Sequence, residues 1–221
     1  MIKLKDILFE SATPDIFVPR RTEDRVERLI KQYIRAGGEG NLRLSFMRLE
    51  KLPKILKNIE VKGNFLCSGN YLETLENFPK KVTGTIDISF NRIKSLQGLG
   101  VEVVNNGFGF LCNGNNLNDL KGGPKIIFGD YVCNENDLTS LEGSPTVING
   151  NFYCSYNKLK TLEGGPRHVT KDYLASFNNL ETLDGLPKFI GGDLILVTNH
   201  KVFTVAQIRA ISDIRGRIEL I

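Results

Sequence analysis

NFLCSGNYLETL (64–75) is followed along the chain by TIDISFNRIKSL (85–96), GFLCNGNNLNDL (109–120), DYVCNENDLTSL (130–141), NFYCSYNKLKTL (151–162) and DYLASFNNLETL (172–183). Anchored on the asparagine, the copies give Asn70, Asn91, Asn115, Asn136, Asn157, Asn178 and Asn199, at steps of 21, 24, 21, 21, 21 and 21 residues. A degenerate first copy, NLRLSFMRLEKL (41–52), puts Met47 where the asparagine would stand, so eight turns of one unit are visible. The three additional residues fall within Val101–Asn106. A fixed period of this length is the signature of a stacked array, in which each unit buries its apolar face only against its neighbours.

The columns of the repeat carry the physics. Alternate residues of a strand point to opposite faces, which turns Phe65, Ile86, Phe110, Tyr131, Phe152, Tyr173 and Leu194 inward. The next inward column is Cys67, Ile88, Cys112, Cys133, Cys154, Ala175 and Leu196, and two leucine columns beginning at Leu72 and Leu75 close the core. The asparagines are placed to satisfy backbone groups in the tight turn, where an unpaired buried amide would cost a few kcal/mol. Pro79, Pro124, Pro145, Pro166 and Pro187 predict an extended, polyproline-like return with no room for a helix.

The order apolar-x-Cys/apolar-x-x-Asn-x-Leu-x-x-Leu-x-Gly-x-Pro resembles the leucine-rich repeat, and most of all the short type of secreted bacterial effectors. The resemblance covers roughly residues 41–200. It departs from that type in having Gly-x-Pro where two prolines are usual, and in a slightly shifted first apolar position. It implies a mainly β repeat solenoid with one parallel strand per unit, an extended convex side, and recognition of a protein ligand by the concave sheet.

Four segments follow: an extended leader over 1–21, an N-terminal helical cap over 22–40, the solenoid over 41–200 and a C-terminal cap over 201–221. Val26, Leu29, Ile30, Tyr33 and Ile34 are at helical spacing, with Thr22 placed to cap and Gly37–Gly38 to stop. Thr204 can cap a second, short helix, and the tail from Arg215 either adds a strand or stays loose. Pro14 and Pro19 discourage helix in the leader. With 221 residues and 41% hydrophobic composition, the chain can build a core, and no apolar run approaches bilayer or signal-peptide length.

Chemistry finds little purchase. Cys112, Cys133 and Cys154 share a column with isoleucine, alanine and leucine, which marks a small apolar position, and no C-x-x-C spacing exists. They read as inert core thiols suited to a reducing compartment. His168 falls on a convex turn and His200 in the C-terminal cap, neither beside a nucleophile. The glycines recur with the repeat and serve turns. The chain therefore reads as non-enzymatic, with no metal and no cofactor.

Residues 1–62 hold 14 Lys/Arg against 9 Asp/Glu, 63–200 hold 11 against 14, and 201–221 hold 4 against 2. An acidic array with basic caps is the reverse of a phosphate-tracking groove and argues against nucleic acid. The outward central column of the concave sheet, by contrast, runs Arg43, Leu66, Asp87, Leu111, Val132, Tyr153, Leu174, Ile195. Beside it, just before each asparagine, stand Phe46, Gly69, Phe90, Gly114, Glu135, Tyr156, Phe177 and Thr198. A solvated face should be polar by alternation, as the flanking column Asn64, Thr85, Asp130, Asn151, Asp172, Asp193 is. An apolar stripe with a polar border has the composition of an interface. It predicts a protein partner bound through Leu66, Leu111, Val132, Tyr153, Leu174, Phe90, Tyr156 and Phe177, with Asp87 and Glu135 giving charge specificity. The alternatives are β-branched and aromatic residues that merely favour strands, and a homo-oligomer that buries the stripe against its own copy.

Leu8-Phe9-Glu10-Ser11 resembles the site cut by prohead proteases of large contractile-tailed bacteriophages, which cleave after the Glu of a Leu/Ile-x-Glu before a small residue. The resemblance spans the first 21 residues, with Ile16–Arg21 similar to repeat proteins of such phages. It implies processing between Glu10 and Ser11, residence in the host cytoplasm or the virion, and either an action on a host or defence factor or a structural role in the particle. The competing reading docks Leu8 and Phe9 on the first coil.

Overall fold

The computed structural model describes residues 18–100, 102–103 and 109–221. The chain winds as a solenoid of parallel strands, each only two residues long. One sheet has nine strands: β1 (Leu42–Arg43), β3 (Phe65–Leu66), β5 (Ile86–Asp87), β7 (Phe110–Leu111), β8 (Tyr131–Val132), β10 (Phe152–Tyr153), β12 (Tyr173–Leu174), β14 (Leu194–Ile195) and β16 (Ile218–Glu219). Every neighbouring pair is parallel and keeps the repeat in register, as in Phe152 opposite Tyr131 and Tyr173. A two-residue strand cannot hold itself together; its hydrogen bonds and its burial both come from the next coil.

The return path differs from the expected polyproline-like course. It pairs too, through β2 (Glu60–Val61), β4 (Lys81–Val82) and β6 (Glu102–Val103) in one sheet, and β9 (Val147–Ile148), β11 (His168–Val169), β13 (Phe189–Ile190) and β15 (Asp213–Ile214) in another. Val61, Val82, Ile148, Val169 and Ile190 are fully buried, which pulls the returning backbone close enough to bond from coil to coil. The two return sheets part between Val103 and Ile127, where the 24-residue coil departs from the period. The first coil, from Met47 to Asn70, runs two residues longer than the 21-residue period, and it accommodates a five-residue 3-10 turn over Lys54–Asn58.

The inward columns hold as the spacing predicts. Phe65, Ile86, Phe110, Tyr131, Phe152, Tyr173 and Leu194 are all sealed from solvent, as are Leu72, Leu75 and their repeats through Leu180. Each such side chain contributes about 1.5–3 kcal/mol of burial. Volume alternates with what lies beneath it: a β-carbon on Gly123 would meet the Tyr131 hydroxyl oxygen at 3.1 Å. The larger ring therefore sits where the preceding coil offers a bare glycine.

The asparagines stitch the coils. Asn136 donates from Nδ2 to the carbonyls of Cys133 (3.2 Å) and Cys112 of the preceding coil (3.1 Å), while its Oδ1 accepts the Leu117 N–H at 3.0 Å. Asn91, Asn115, Asn157 and Asn178 repeat this pattern. The first copy carries Met47 because an asparagine there would have no earlier concave-strand coil to reach.

Helix α1 spans Val18–Arg35, starting before the predicted Thr22, with Pro19 in its first turn, where a missing N–H costs nothing. Val26, Ile30 and Tyr33 are buried, but Ile34 is left 40% exposed, at the margin of the apolar face. The Tyr33 hydroxyl donates to the carbonyls of Gly38 and Gly40 and accepts the Lys62 N–H, pinning the helix to the array. Helix α2 (Val205–Arg209) is capped by Thr204 in a reciprocal box with Gln207. The tail from Arg215 adds a strand, β16, just after β15. The Glu10–Ser11 processing site and the leader residues 1–17 lie outside the described residues. No helix among the described residues is long and apolar enough to cross a membrane.

Candidate protein-binding face

The outward side of the nine-stranded sheet is built in four columns. The first, Asn64, Thr85, Asp130, Asn151, Asp172 and Asp193, was expected as a polar border and is instead a second ladder. Asn64 Oδ1 accepts the Thr85 N–H (2.8 Å), Asp130 Oδ1 the Asn151 N–H (2.8 Å), Asn151 Oδ1 the Asp172 N–H (3.0 Å) and Asp172 Oδ1 the Asp193 N–H (2.8 Å). The glycine before many of these residues is required by close approach: a β-carbon on Gly192 would lie 2.1 Å from Asp172 Oδ1. The Gly-Asn/Asp pairs at 63–64, 129–130, 150–151 and 192–193 were the sequence signal for this ladder.

The second column holds Leu66, Asp87, Leu111, Val132, Tyr153, Leu174 and Ile195, all outward and all half-buried, shielded by neighbours along the ladder. The Tyr153 phenol has its pKa raised, first by burial and then by the carboxylates of Asp130 and Asp172 on the flanking column. Asp87 Oδ1 accepts the Ser89 N–H at 3.0 Å and its hydroxyl at 2.5 Å. A third column of small polar groups, Ser68, Ser89, Asn113, Asn134, Ser155 and Ser176, separates the apolar strip from the edge.

The fourth column forms that edge and has an unusual backbone. Phe46, Phe90, Glu135, Tyr156, Phe177 and Thr198 all have φ between 51° and 57°, and Gly69 and Gly114 share the conformation at 64° and 65°. This left-handed turn lifts the chain out of the strand and turns the next residue, the asparagine, inward. Glycine adopts it freely, whereas a side chain costs about 1–2 kcal/mol. Yet Phe46 is 79%, Phe90 55%, Tyr156 52% and Phe177 42% exposed. Tyr156 and Phe177 stack with centroids 4.3 Å apart and planes 7° apart. Phe46 and Phe90 lie over Gly69 and Gly114, where a β-carbon would meet their rings at 2.3 and 2.6 Å.

The ten partner-binding residues singled out from the sequence thus share one face, with Phe90, Glu135, Tyr156 and Phe177 on its edge and Leu66, Asp87, Leu111, Val132, Tyr153 and Leu174 within it. The sequence reading placed Phe46 in this column but not among the partner-binding residues, although it is the most exposed ring of the edge. It also left out an apolar group on the return side, Ile126, Phe128 and Val147. The cysteines are buried; burial pushes the Cys67 and Cys154 thiols up to about 12 and raises those of Cys112 and Cys133. His168 stacks on Phe189 at 4.5 Å rather than standing on a turn. Among the described residues no group of three His, Cys, Asp or Glu is placed to hold a metal.

No family model matches the chain, and no curated protein matches it. Among solved structures it is similar to a Shigella effector LRR domain, with 15% identity over 97% of this chain and 94% of that one and a TM-score of 0.61. At this identity the likeness is one of fold, and the chain folds as a leucine-rich-repeat-like solenoid.

Proposed function

We propose that the chain is a protein-binding module that recognises its partner with the outward face of the nine-stranded sheet and performs no chemistry on it. The observation that carries the reading is the fourth column. Four exposed aromatic rings occupy a backbone conformation that sister coils give to glycine, at a cost in stability that folding alone does not require. The half-buried strip of Leu66, Leu111, Val132, Tyr153 and Leu174 supplies the apolar centre, and the Ser/Asn column between strip and edge supplies hydrogen-bonding groups. Asp87 and Glu135 add charge.

The Leu8–Ser11 pattern favours a phage context, with a host or defence factor as the ligand in the infected cell; a packaged virion protein cut between Glu10 and Ser11 is the second reading. Mass spectrometry of purified particles separates the two: a chain beginning at Ser11 favours the virion role. For the module itself, affinity capture is compared between the wild type and a Phe90→Gly/Tyr156→Gly/Phe177→Gly variant, and with Tyr153→Ala/Leu174→Asp. The partner should be lost from both variants while circular dichroism stays unchanged. Equal capture by all three would end the proposal.

A further inference from the structure

Between the first and last coils, charge on the binding face has one sign. From Asn64 to Thr198 its four outward columns carry Asp87, Asp130, Glu135, Asp172 and Asp193 and, among the described residues, no lysine or arginine. The lysines of the array stand elsewhere, and several are paired between adjacent coils on the turn side: Lys94 with Glu73, Lys121 with Glu142, Lys158 with Asp137 and Lys160 with Glu181. Asp130 and Asp172 each commit Oδ1 to the next coil's N–H, and neither has an ion pair among the described residues. They flank Tyr153, whose phenol feels both.

The last coil shows what such a carboxylate accepts. Arg217, the successor of Asp193 in the same column, donates its N–H to Asp193 Oδ1 (2.8 Å) and its guanidinium to Oδ2 (2.8 and 3.2 Å). These contacts hold the Asp193 carboxyl below its usual range, the backbone N–H first and the guanidinium next. The column is therefore built to take a guanidinium across its outer oxygen, and only Asp193 has one in place.

We infer that this face receives a basic, extended segment of another protein, with Lys or Arg side chains seated against Asp130 and Asp172 and their alkyl stems on Tyr153 and Leu174. Aromatic faces beside carboxylates suit a cation on both counts. The two carboxylates stand two coils apart, roughly 9.6 Å at ordinary strand spacing. That matches residues i and i+3 of a polyproline-II segment, about 9.3 Å apart on one side. The inference rests on the protein-binding reading above and adds the partner's charge and spacing.

The test is selection of a random dodecapeptide library against the full chain, followed by anisotropy titration of the enriched synthetic peptides. The comparison proteins are Asp130→Asn/Asp172→Asn and Tyr153→Ala/Tyr156→Ala. The asparagine pair keeps each Oδ1 acceptor, as Asn151 does in the same column, so the fold is preserved. Enriched peptides should carry two or more Lys/Arg, at i and i+3, and lose about tenfold in affinity to the asparagine variant. Binding should also weaken as salt is raised from roughly 50 to 300 mM. Neutral or acidic peptides, indifference to the asparagine variant, or no enrichment would overturn the inference. If such peptides still fail on Tyr153→Ala/Tyr156→Ala, the binding face stands and only its charge preference falls; if they ignore both variants, both readings fall. Light scattering that finds a wild-type dimer released by Asp130→Asn/Asp172→Asn would make a second copy the occupant and overturn it likewise.

Discussion

The ring of Phe46 lies across Gly69 of the following coil, so close that a β-carbon on that glycine would come within 2.3 Å of it. Both residues are left-handed, at φ 57° and 64°. Gly69→Ala therefore adds a backbone penalty and displaces the ring. We expect a loss of about 1–2 kcal/mol, read as a lower urea midpoint. Phe46→Gly relieves its own backbone while giving up one exposed ring, and should leave the midpoint nearly unchanged. A large loss from Phe46→Gly would mean that the ring serves packing rather than recognition.

Asn136→Ala removes a donor to two carbonyls and the acceptor of one N–H, all buried between coils. Leaving such groups unpaired costs about 1–3 kcal/mol each. A destabilisation of about 3 kcal/mol or more is expected in urea, with hydrogen exchange accelerating first at Leu117 and in the two coils that Asn136 joins. Protection that stays uniform would contradict the ladder.

Tyr131→Phe should go the other way. Its hydroxyl is fully buried, above Gly123, with no hydrogen-bond partner among the described residues. Removing an unsatisfied buried group relieves a desolvation cost and forfeits little packing. Stability is expected to hold or to rise by up to about 1 kcal/mol, and a fall beyond that would indicate a partner for the phenol.

Alkaline pH tests the sealed thiols. Burial raises Cys67 and Cys154 from the ordinary 9.0 to about 12, with Cys112, Cys133 and the Tyr131 and Tyr173 phenols also raised. The folded state prefers the protonated forms, so their contribution is full below pH 9.0 and declines as pH rises toward about 12. The urea midpoint should be flat from pH 7 to 8 and drop by pH 11, with native thiol labelling negligible at pH 8. Rapid labelling of the folded chain would place the thiols outside the core.

The inward half of this molecule was legible because the repeat writes it column by column: Phe65, Cys67, Asn70, Leu72 and Leu75 each recur, and each is buried. The return sheets were not, since a unit such as Lys81–Val82 offers one apolar residue and no alternation from which to read a strand. The left-handed edge was hidden because Phe and Tyr have no local preference for it; only the glycines at 69 and 114 hinted at the conformation. The start of helix α1 was obscured by Pro19, which ends helices in the interior but opens them at the first turn. The candidate face was legible as an apolar stripe, but the work done by Asp130, Asn151 and Asp172 within it appears only once the coils are stacked.

Along the nine-stranded sheet alternate N–H groups donate to the carbonyls of the coil that follows, as Cys112 to Val132 and Cys133 to Tyr153. Both side-chain ladders keep the same interval. Excision of residues 137–157, a 21-residue block, would therefore rejoin Asn136 to Lys158 with donors still meeting acceptors. A gene that encodes such a chain can grow or shrink by whole turns, reshuffling which side chains the outward face displays while the scaffold that presents them survives.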